Sequence, residues 1–424
     1  MSIFDFAKAN EQYIISMRRE FHRHPELSGK EERTVTRICE ELSKMGAAHV
    51  NVPQGGVLAF FGDEAAGPTV LLRADIDALP MQENACNSKG ERAVISEVPG
   101  VMHACGHDGH TAALLGAAKV LSQHPEVNKG RIILMFERGE EATENVVYLH
   151  KYIEEHNIHI DSAWGLHLFT NFEHGKFVVY DSYALAGSLF FTVTLRGKGG
   201  HGSRPDLSFS PIDCFHAIYT GISMLKMKYS SPFKPLTLSL GCLQAGTVGN
   251  IIPGELTFKG TLRYFDREDA LRLIEEFRRL LETTAPLYHC TVEHNLHAPS
   301  SGLVNNPVCA GIAREAYREA FGQDCILDAE MQMGSETFAL TAALWPSAFT
   351  CLGMRSEALG TTAEHHNEYF DVAEDVLAEA AAAGLVYASA FQQSGADVSA
   401  AAYPGSIGDY YRSIEHSKAG IFAK

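Results

Sequence analysis

Asp108-Gly109-His110-Thr111-Ala112-Ala113-Leu114-Leu115-Gly116-Ala117-Ala118-Lys119-Val120-Leu121-Ser122, followed shortly by Arg131-Ile132-Ile133-Leu134-Met135-Phe136, decides the fold class. The first run predicts a helix to about Ser122 that Asp108 could N-cap, and the second predicts a buried strand. Upstream, Val57-Leu58-Ala59-Phe60-Phe61 and Thr69-Val70-Leu71-Leu72 are short apolar runs bounded by Gly and Pro, as buried strands are. Downstream, a helix is expected near 142–156 and a strand near 162–169. Alternation of this kind predicts an α/β fold with a mostly parallel sheet flanked by helices. The first 46 residues read as two helices, one carrying Ile14, Met17 and Phe21 at helical spacing and one from Glu31 to Met45, stopped by Gly46. Between 187 and 298 the order changes to strand, helix, two strands, helix and strand, with strands expected at 188–195, 236–243, 255–264 and 290–297. That is the split-βαβ, ferredoxin-like order, which forms its own antiparallel sheet. Helix–strand alternation returns from about 306 to 390. The expected organisation is therefore a discontinuous domain, 1–186 with 299–392, interrupted by an inserted α+β domain at 187–298. A Ser-, Ala- and Gly-rich tail, 393–424, is expected to be loosely ordered or an oligomer contact.

The chain has 424 residues, 46% of them hydrophobic and 21% charged, which suits a globular protein with buried cores. Lys and Arg number 35 against 52 Asp and Glu, a formal charge of −17 with 20 His neutral. With no basic run, that balance argues against nucleic acid and anionic membranes as partners. No apolar stretch reaches the roughly 18 residues of a spanning helix, and Met1-Ser2-Ile3-Phe4-Asp5 lacks a signal-peptide layout. The nine cysteines are scattered without a C-x-x-C pair, which is neither a disulfide framework nor a zinc ribbon and fits a reduced, cytoplasmic setting.

The densest chemistry lies in Met102-His103-Ala104-Cys105-Gly106-His107-Asp108-Gly109-His110. Cys and His favour Zn²⁺ and late first-row ions, and an added carboxylate admits Mn²⁺. The alternative for this segment is a polar loop with capping histidines. Glu140-Glu141 follows the strand ending near Phe136, where open α/β sheets place their sites, although such a pair alone is usually solvated surface. His167 closes the strand Trp164-Gly165-Leu166-His167 at the same edge. A lone strand-end histidine is more often structural, but three strand ends converging on one edge shift the balance toward ligands.

Leu72-Arg73-Ala74-Asp75-Ile76-Asp77-Ala78-Leu79-Pro80, His103-Ala104-Cys105-Gly106-His107-Asp108, Glu140-Glu141 and Gly165-Leu166-His167 resemble the M20 metallopeptidase family in order and spacing. The subgroup most resembled is the family's amidohydrolase branch, which includes hippurate hydrolases, aminoacylases and auxin-conjugate hydrolases. Arg18-Arg19-Glu20-Phe21-His22-Arg23-His24-Pro25-Glu26-Leu27, Gly197-Lys198-Gly199-Gly200-His201-Gly202, Asn250-Ile251-Ile252-Pro253 and Gly260-Thr261-Leu262-Arg263 match it too, as does His366 four residues before Phe370. The resemblance spans about 12–390 and implies a zinc-peptidase-like catalytic domain with the insert as dimerisation domain. It implies one or two divalent ions per subunit, Mn²⁺ or Zn²⁺, with Co²⁺ and Ni²⁺ as further candidates. Cys105 would bridge both ions, Glu141 and His366 completing one shell and His107 with His167 the other. Asp77 would orient a ligating histidine. Glu140 would act as general base on a metal-activated water and later protonate the leaving nitrogen. His201 would reach the active site of the partner subunit to stabilise the oxyanion, making the protein a homodimer or higher homo-oligomer. Asn250 and Arg263 match positions associated with the carboxylate of a small-molecule substrate; turn and strand-surface roles are their alternatives.

Three departures from the subgroup surround this site. Its usual Gln-Pro-Ala before the paired glutamates reads Glu137-Arg138-Gly139, which could alter local pKa values and pocket shape. Its late Ser-Glu-Asp-Phe reads Ser335-Glu336-Thr337-Phe338, and its apolar-His-x-Pro reads His365-His366-Asn367-Glu368, making His365 a rival ligand. Three readings follow: a metal-dependent hydrolase of N-acyl or N-aroyl amino acid amides or related carboxylate-bearing substrates; a metal-dependent aminohydrolase releasing ammonia from a carboxylate-bearing aryl amine; and a non-catalytic metal-binding member.

Overall fold

The computed structural model describes residues 1–296 and 302–422. The N-terminal part forms α1 (Ile3–Ala9), α2 (Glu11–Arg23), α3 (Glu32–Lys44), β1 (Ala48–Val52), β2 (Gly56–Gly62), β3 (Thr69–Asp75), α4 (His107–Gln123), β4 (Arg131–Glu137), α5 (Val146–Glu155), β5 (Ser162–Glu173), β6 (Phe177–Val178) and β7 (Tyr183–Leu185). The middle forms β8 (Gly187–Arg196), β9 (Gly200–His201), α6 (Pro211–Tyr229), β10 (Leu236–Ala245), β11 (Ile251–Ile252), β12 (Glu255–Tyr264), α7 (Arg267–Leu287) and β13 (Thr291–His294). The chain continues through β14 (Leu303–Val304), α8 (Pro307–Phe321), α9 (Phe338–Leu344), β15 (Ser347–Arg355), α10 (Leu377–Ser394) and α11 (Ile407–Ser413).

The main sheet has the order β1-β2-β4-β3-β5-β15-β6. Its central strands β4, β3, β5 and β15 run parallel, whereas β1, β2 and β6 add antiparallel edges. Every residue of β3 is buried, which is why its first half, Val70-Leu71-Leu72, reads as an apolar run rather than an alternation, while Arg73 and Asp75 pair with each other. Helices α1, α2, α4, α8 and α10 cover one face, where Ile14, Phe21, Leu115, Leu134, Trp164 and Leu377 share a core. On the other face α5, α9 and α11 bury Leu71, Ile133, Leu149, Phe338, Phe349 and Tyr411. Register places Asp75 beside Glu137 and His167 beside Cys351 at the carboxyl end of the parallel strands. No helix among the described residues is long and apolar enough to cross a membrane.

The middle segment forms a separate four-stranded sheet, β10-β12-β8-β13, with all neighbours antiparallel and α6 and α7 on one face. Leu303 pairs with Leu185, so the chain enters and leaves this segment along adjacent strands. The proposed boundary at 298 and the end of the expected 290–297 strand lie outside the described residues; the strand itself ends at His294.

Several expectations change. The N-terminus holds three helices, not two, and β1 is a half-exposed edge strand without an apolar run to announce it. Asp108 does not cap α4. The N-cap is Gly106 at φ +95°, and the Asp108 carboxylate instead accepts from Arg18 Nε (2.8 Å) and contacts His22 Nδ1 (2.7 Å). A buried guanidinium is a more demanding partner than an orphan helix amide, so the tertiary contact wins. The tail is not loose: Tyr410, Tyr411 and Ile414 are buried against its own chain.

Candidate active site

Four connections deliver side chains to the carboxyl edge of β3, β4, β5 and β15, where open α/β sheets place their sites. Cys105 precedes α4 and His107 opens it; the left-handed backbone at Gly106 makes the bend between them. After β4 the chain turns at Gly139 (φ +74°), where an added Cβ would collide with Thr143 Oγ1, and so presents Glu140 and Glu141. β5 supplies His167. The segment after β15 supplies His366, itself at φ +58°, with its backbone N–H donating to Ala104 O at 2.8 Å.

The donor atoms of Cys105, His107 and His167 lie within 4.8 Å of one another, as do those of Cys105, Glu141 and His366. Cys105 belongs to both groups. Its Sγ lies 3.4 Å from His167 Nε2, and His366 Nε2 lies 3.2 Å from Glu141 Oε1. His107 Nδ1 faces Asp77 Oδ1 at 3.0 Å, which turns Nε2 inward to a point 3.9 Å from Glu141 Oε1. Both His107 Nε2 and Glu141 Oε1 are buried without a hydrogen-bond partner. Orphaned acceptors from an imidazole and a carboxylate beside a thiol are what a divalent cation would satisfy, and the mixed S, N and O set suits Zn²⁺ or Mn²⁺. The other Asp77 oxygen accepts the Glu141 N–H at 3.0 Å and the Ser28 hydroxyl. His167 Nδ1 is fixed by Leu168 O at 2.8 Å.

His365 does not join either group. Its Nε2 is 2.8 Å from Leu168 O, and its ring packs on His167, Phe169 and Phe370, where burial pulls its pKa down to about 4. The structure thus brings His366, not His365, to the cluster. His110, the last candidate ligand of the 103–110 run though left out of the resemblance's ligand set, forms a further group with Asp75 and His107, and both its nitrogens are engaged: Nδ1 faces Asp75 Oδ1 at 2.7 Å and Nε2 accepts from Leu168 N at 2.9 Å. Its position three residues after His107 puts it on the same face of α4.

Burial, with Glu336 and Glu141 adjacent, raises the Glu140 pKa well above the ordinary carboxylate value. Its Oε1 accepts from Thr337 N at 3.1 Å. Burial and then the nearby His110 hold His167 neutral, as a ligating imidazole must be. Burial opposes a charge on His107, but Asp75 and Cys105 outweigh it and carry the pKa well up.

The Glu137-Arg138 pair does not face the ligands. Glu137 accepts from Arg73 Nε (2.6 Å) and from Thr337 Oγ1 (2.5 Å), and burial together with Glu336, against Arg73, leaves its pKa at about 7. Arg73 also binds Asp75 (2.6 Å) and Glu336 (2.8 Å), so one buried guanidinium gathers three carboxylates directly behind Glu140. Arg138 turns to Glu31 (2.7 Å) and Glu32 (2.9 Å).

His201 and Asn250 sit elsewhere, on the ribbon in which β9 pairs with β11. Both are exposed; His201 Nδ1 accepts from Ser203 Oγ at 2.8 Å, and Gly202 N donates to Asn250 O at 2.8 Å. Among the described residues neither is hydrogen-bonded to the cluster of its own chain. Arg263 on β12 does reach the main body: its Nη1 donates to Ser335 Oγ at 2.9 Å and its guanidinium lies 5.1 Å from the Phe190 ring centre.

The family model for peptidase family M20/M25/M40 matches residues 71–389. IAA-amino acid hydrolase ILR1-like 2 of Arabidopsis thaliana is 32% identical over 90% of this chain and 86% of its own length. N-acetylcysteine deacetylase of Bacillus subtilis (strain 168) is 31% identical over 87% of this chain and 94% of its own. The solved structure of the Bacillus subtilis YXEP protein, described as a dinuclear metal binding peptidase from the M20 family, superposes with a TM-score of 0.74 at 28% identity, covering 91% of this chain and 99% of that one. The chain belongs to peptidase family M20/M25/M40 and is a hydrolase acting on C–N bonds.

Proposed function

We propose that this M20 enzyme hydrolyses the amide of an N-acyl or N-aroyl amino acid, or of a closely related carboxylate-bearing substrate, at a site with two divalent ions. The observation that carries the reading is the pair of candidate ligand groups sharing Cys105, with the Glu140 carboxylate close beside His107 and Glu141. Cys105, His107 and His167 would hold one ion, and Cys105, Glu141 and His366 the other. Bound ions of this kind supply Lewis acidity and an activated water at neutral pH. Glu140 accepts a proton from the attacking water and returns it to the leaving nitrogen. Asp77 fixes His107 with Nε2 available to the ion. Arg263 binds the substrate carboxylate with its planar fork, since it already spans the gap to Ser335.

His201 and Asn250 serve the partner subunit. Their exposure on one ribbon, without a hydrogen bond to their own cluster among the described residues, supports this. Residues 187–298 act as the dimerisation unit between the two halves of the catalytic body, 1–186 and 299–392. The exposed apolar side chains Ile212, Tyr219, Met224 and Met227 on α6 and the open edge of β10 support that assignment. A reducing, cytoplasmic location is supported by nine free thiols.

The test is amine release from a panel of N-acetyl, N-benzoyl and indole-acyl amino acids by metal-stripped protein reloaded with Mn²⁺ or Zn²⁺. Metal-dependent turnover abolished by Glu140→Gln is expected; no turnover by either loaded form overturns the reading. The carboxylate assembly around Arg73, which abuts the base where the acylamino-acid subgroup is built differently, favours a second reading in which the same base and ions direct water at a carbon bearing an amino group. Ammonia release from carboxylate-bearing aryl amines, with the acyl panel silent, would select it.

A further inference from the structure

Glu140 and Glu141 open a loop that Asp77 and Thr337 meet on its near side, through the Glu141 N–H and the Glu140 carboxylate. Between β4 and α5 the chain folds on itself, with the N–H groups of Thr143 and Glu144 both donating to Gly139 O (3.1 and 2.7 Å). Gly139 stands at φ +74° and Glu144 at φ +46°, a left-handed conformation that a glutamate adopts only when its surroundings hold it there. Those surroundings come from the last part of the chain, beyond residue 389 where the family match ends. α11 docks on α5 through buried Tyr410 and Tyr411, and the Tyr411 hydroxyl meets His150 Nδ1 at 2.7 Å. The segment leaving α11 then reaches the loop. Lys418 Nζ donates to Thr143 O and, at 2.6 Å, to Asn145 Oδ1, with its ammonium 5.3 Å from the Tyr148 ring centre. His416 Nε2 lies 2.9 Å from Glu144 Oε2. The tail thus contacts three consecutive loop residues, beginning two positions after Glu141.

We propose that the C-terminal tail is a positioning clamp for the catalytic loop: Lys418 and His416 hold residues 143–145 so that Glu141 stays set for its divalent ion and Glu140 for its proton transfers. Neither tail residue touches substrate or ion; both act through the loop. The inference rests on the reading of Glu141 as a ligand. It predicts that loosening the tail changes the affinity of one ion and leaves the other alone, because Cys105 and His107 stand at the start of α4 and His167 on β5, and among the described residues the tail's hydrogen bonds and ion pairs do not reach them.

The test is Mn²⁺ titration of the metal-stripped, full-length protein by calorimetry. Lys418→Met, which keeps the aliphatic stem and removes the donor, is expected to weaken one Mn²⁺ equivalent by about tenfold with the second within about twofold, the scale on which supports of a metal ligand act. Lys418→Arg should restore most of the loss, and Arg412→Ala, on the same tail but bonded, among the described residues, to Asp409 rather than to the loop, should bind both ions as the wild type does. Where an amide substrate is turned over, kcat should fall in Lys418→Met with KM unchanged. His416→Gln, a milder change, provides the same readout should Lys418→Met fail to fold, with a smaller loss at the same ion. Wild-type binding of both ions by Lys418→Met, or equal weakening of both alongside a lower melting temperature, overturns the clamp. Glu141→Gln binding both ions normally would instead overturn the ligand assignment beneath it.

Discussion

Replacing Asp77 by Asn changes one atom and should cost the enzyme much of its hold on an ion. One Asp77 oxygen accepts the Glu141 N–H (3.0 Å) and the Ser28 hydroxyl; the other faces His107 Nδ1 at 3.0 Å. A carboxylate can accept from all three, and an amide cannot. If the Asn oxygen keeps Ser28 and Glu141, its NH₂ points at His107 Nδ1, which must then be bare, and the imidazole proton moves to Nε2. Nε2 is the buried, partnerless atom that faces the cluster, and once protonated it is no longer a ligand. If the amide flips, its NH₂ confronts two donors and leaves the Glu141 N–H without an acceptor, at a cost of about 1–3 kcal/mol. Either orientation predicts a loss near the upper end of the roughly 10–100-fold range for such partners, about 2–3 kcal/mol. Mn²⁺ and Zn²⁺ titration of the stripped protein measures it. Ser28→Ala removes one donor without disturbing the tautomer and should cost only a few-fold. Wild-type affinity in Asp77→Asn, with the melting temperature unchanged, would refute the tautomer argument.

Glu140→Gln should lower kcat by about 10²–10⁴-fold while both ions remain bound, and loss of an ion in this variant would mean that Glu140 is a ligand rather than the base. If His201 serves the neighbouring site, mixing inactive His201→Ala and Glu140→Gln subunits should restore up to about a quarter of the sites, because half the dimers are mixed and each regains one site; a mixture as inactive as its components refutes the exchange. His150 is wholly buried between Tyr411 and Thr341, and burial lowers its pKa from the ordinary 6.5 to about 3. A histidine depressed in the folded state stabilises fully above its unfolded pKa and loses that contribution as pH falls from about 6.5 toward 3, roughly 2 kcal/mol by pH 5. Denaturant unfolding at pH 7 and pH 5 should therefore differ by about that much less in His150→Gln, and an unchanged difference would remove His150 as the source.

What was legible followed from how local the cause is. The central strands announce themselves where their buried positions are apolar, as at Val70-Leu71-Leu72 and Ile132-Ile133-Leu134-Met135-Phe136. The edge strand β1 alternates half-exposed positions and carries no such run. Asp108 is the right residue type for a cap, but its carboxylate answers to Arg18, 90 positions away. His365 and His366 are adjacent histidines, and in the sequence only the four-residue spacing to Phe370 favours His366. They are separated by the left-handed backbone at His366 and by the bond from His365 to Leu168 O, both products of packing around Phe370. The role of the tail was hidden for the same reason: Lys418 matters through Thr143 and Asn145, and nothing in a Ser- and Ala-rich terminus signals those partners.

Two departures from the amidohydrolase pattern that stand 200 residues apart in the chain prove to be one change in space. Where the subgroup usually has a neutral residue this chain has Glu137, and where the subgroup usually has an acid it has Thr337; the two side chains are bonded at 2.5 Å. The number of acidic groups at the pair is kept, but the acid now lies against Arg73 Nε, while the threonine hydroxyl receives from Arg73 Nη2 at 2.9 Å. A fully buried guanidinium needs that compensation, so changing either position alone would leave a buried charge short of, or in excess of, its partners. The backbone N–H of Thr337 still reaches Glu140, and Cys105, His107, Glu141, His167 and His366 remain together. The exchange therefore alters what stands behind Glu140, the proposed general base, and leaves the five proposed ligands grouped.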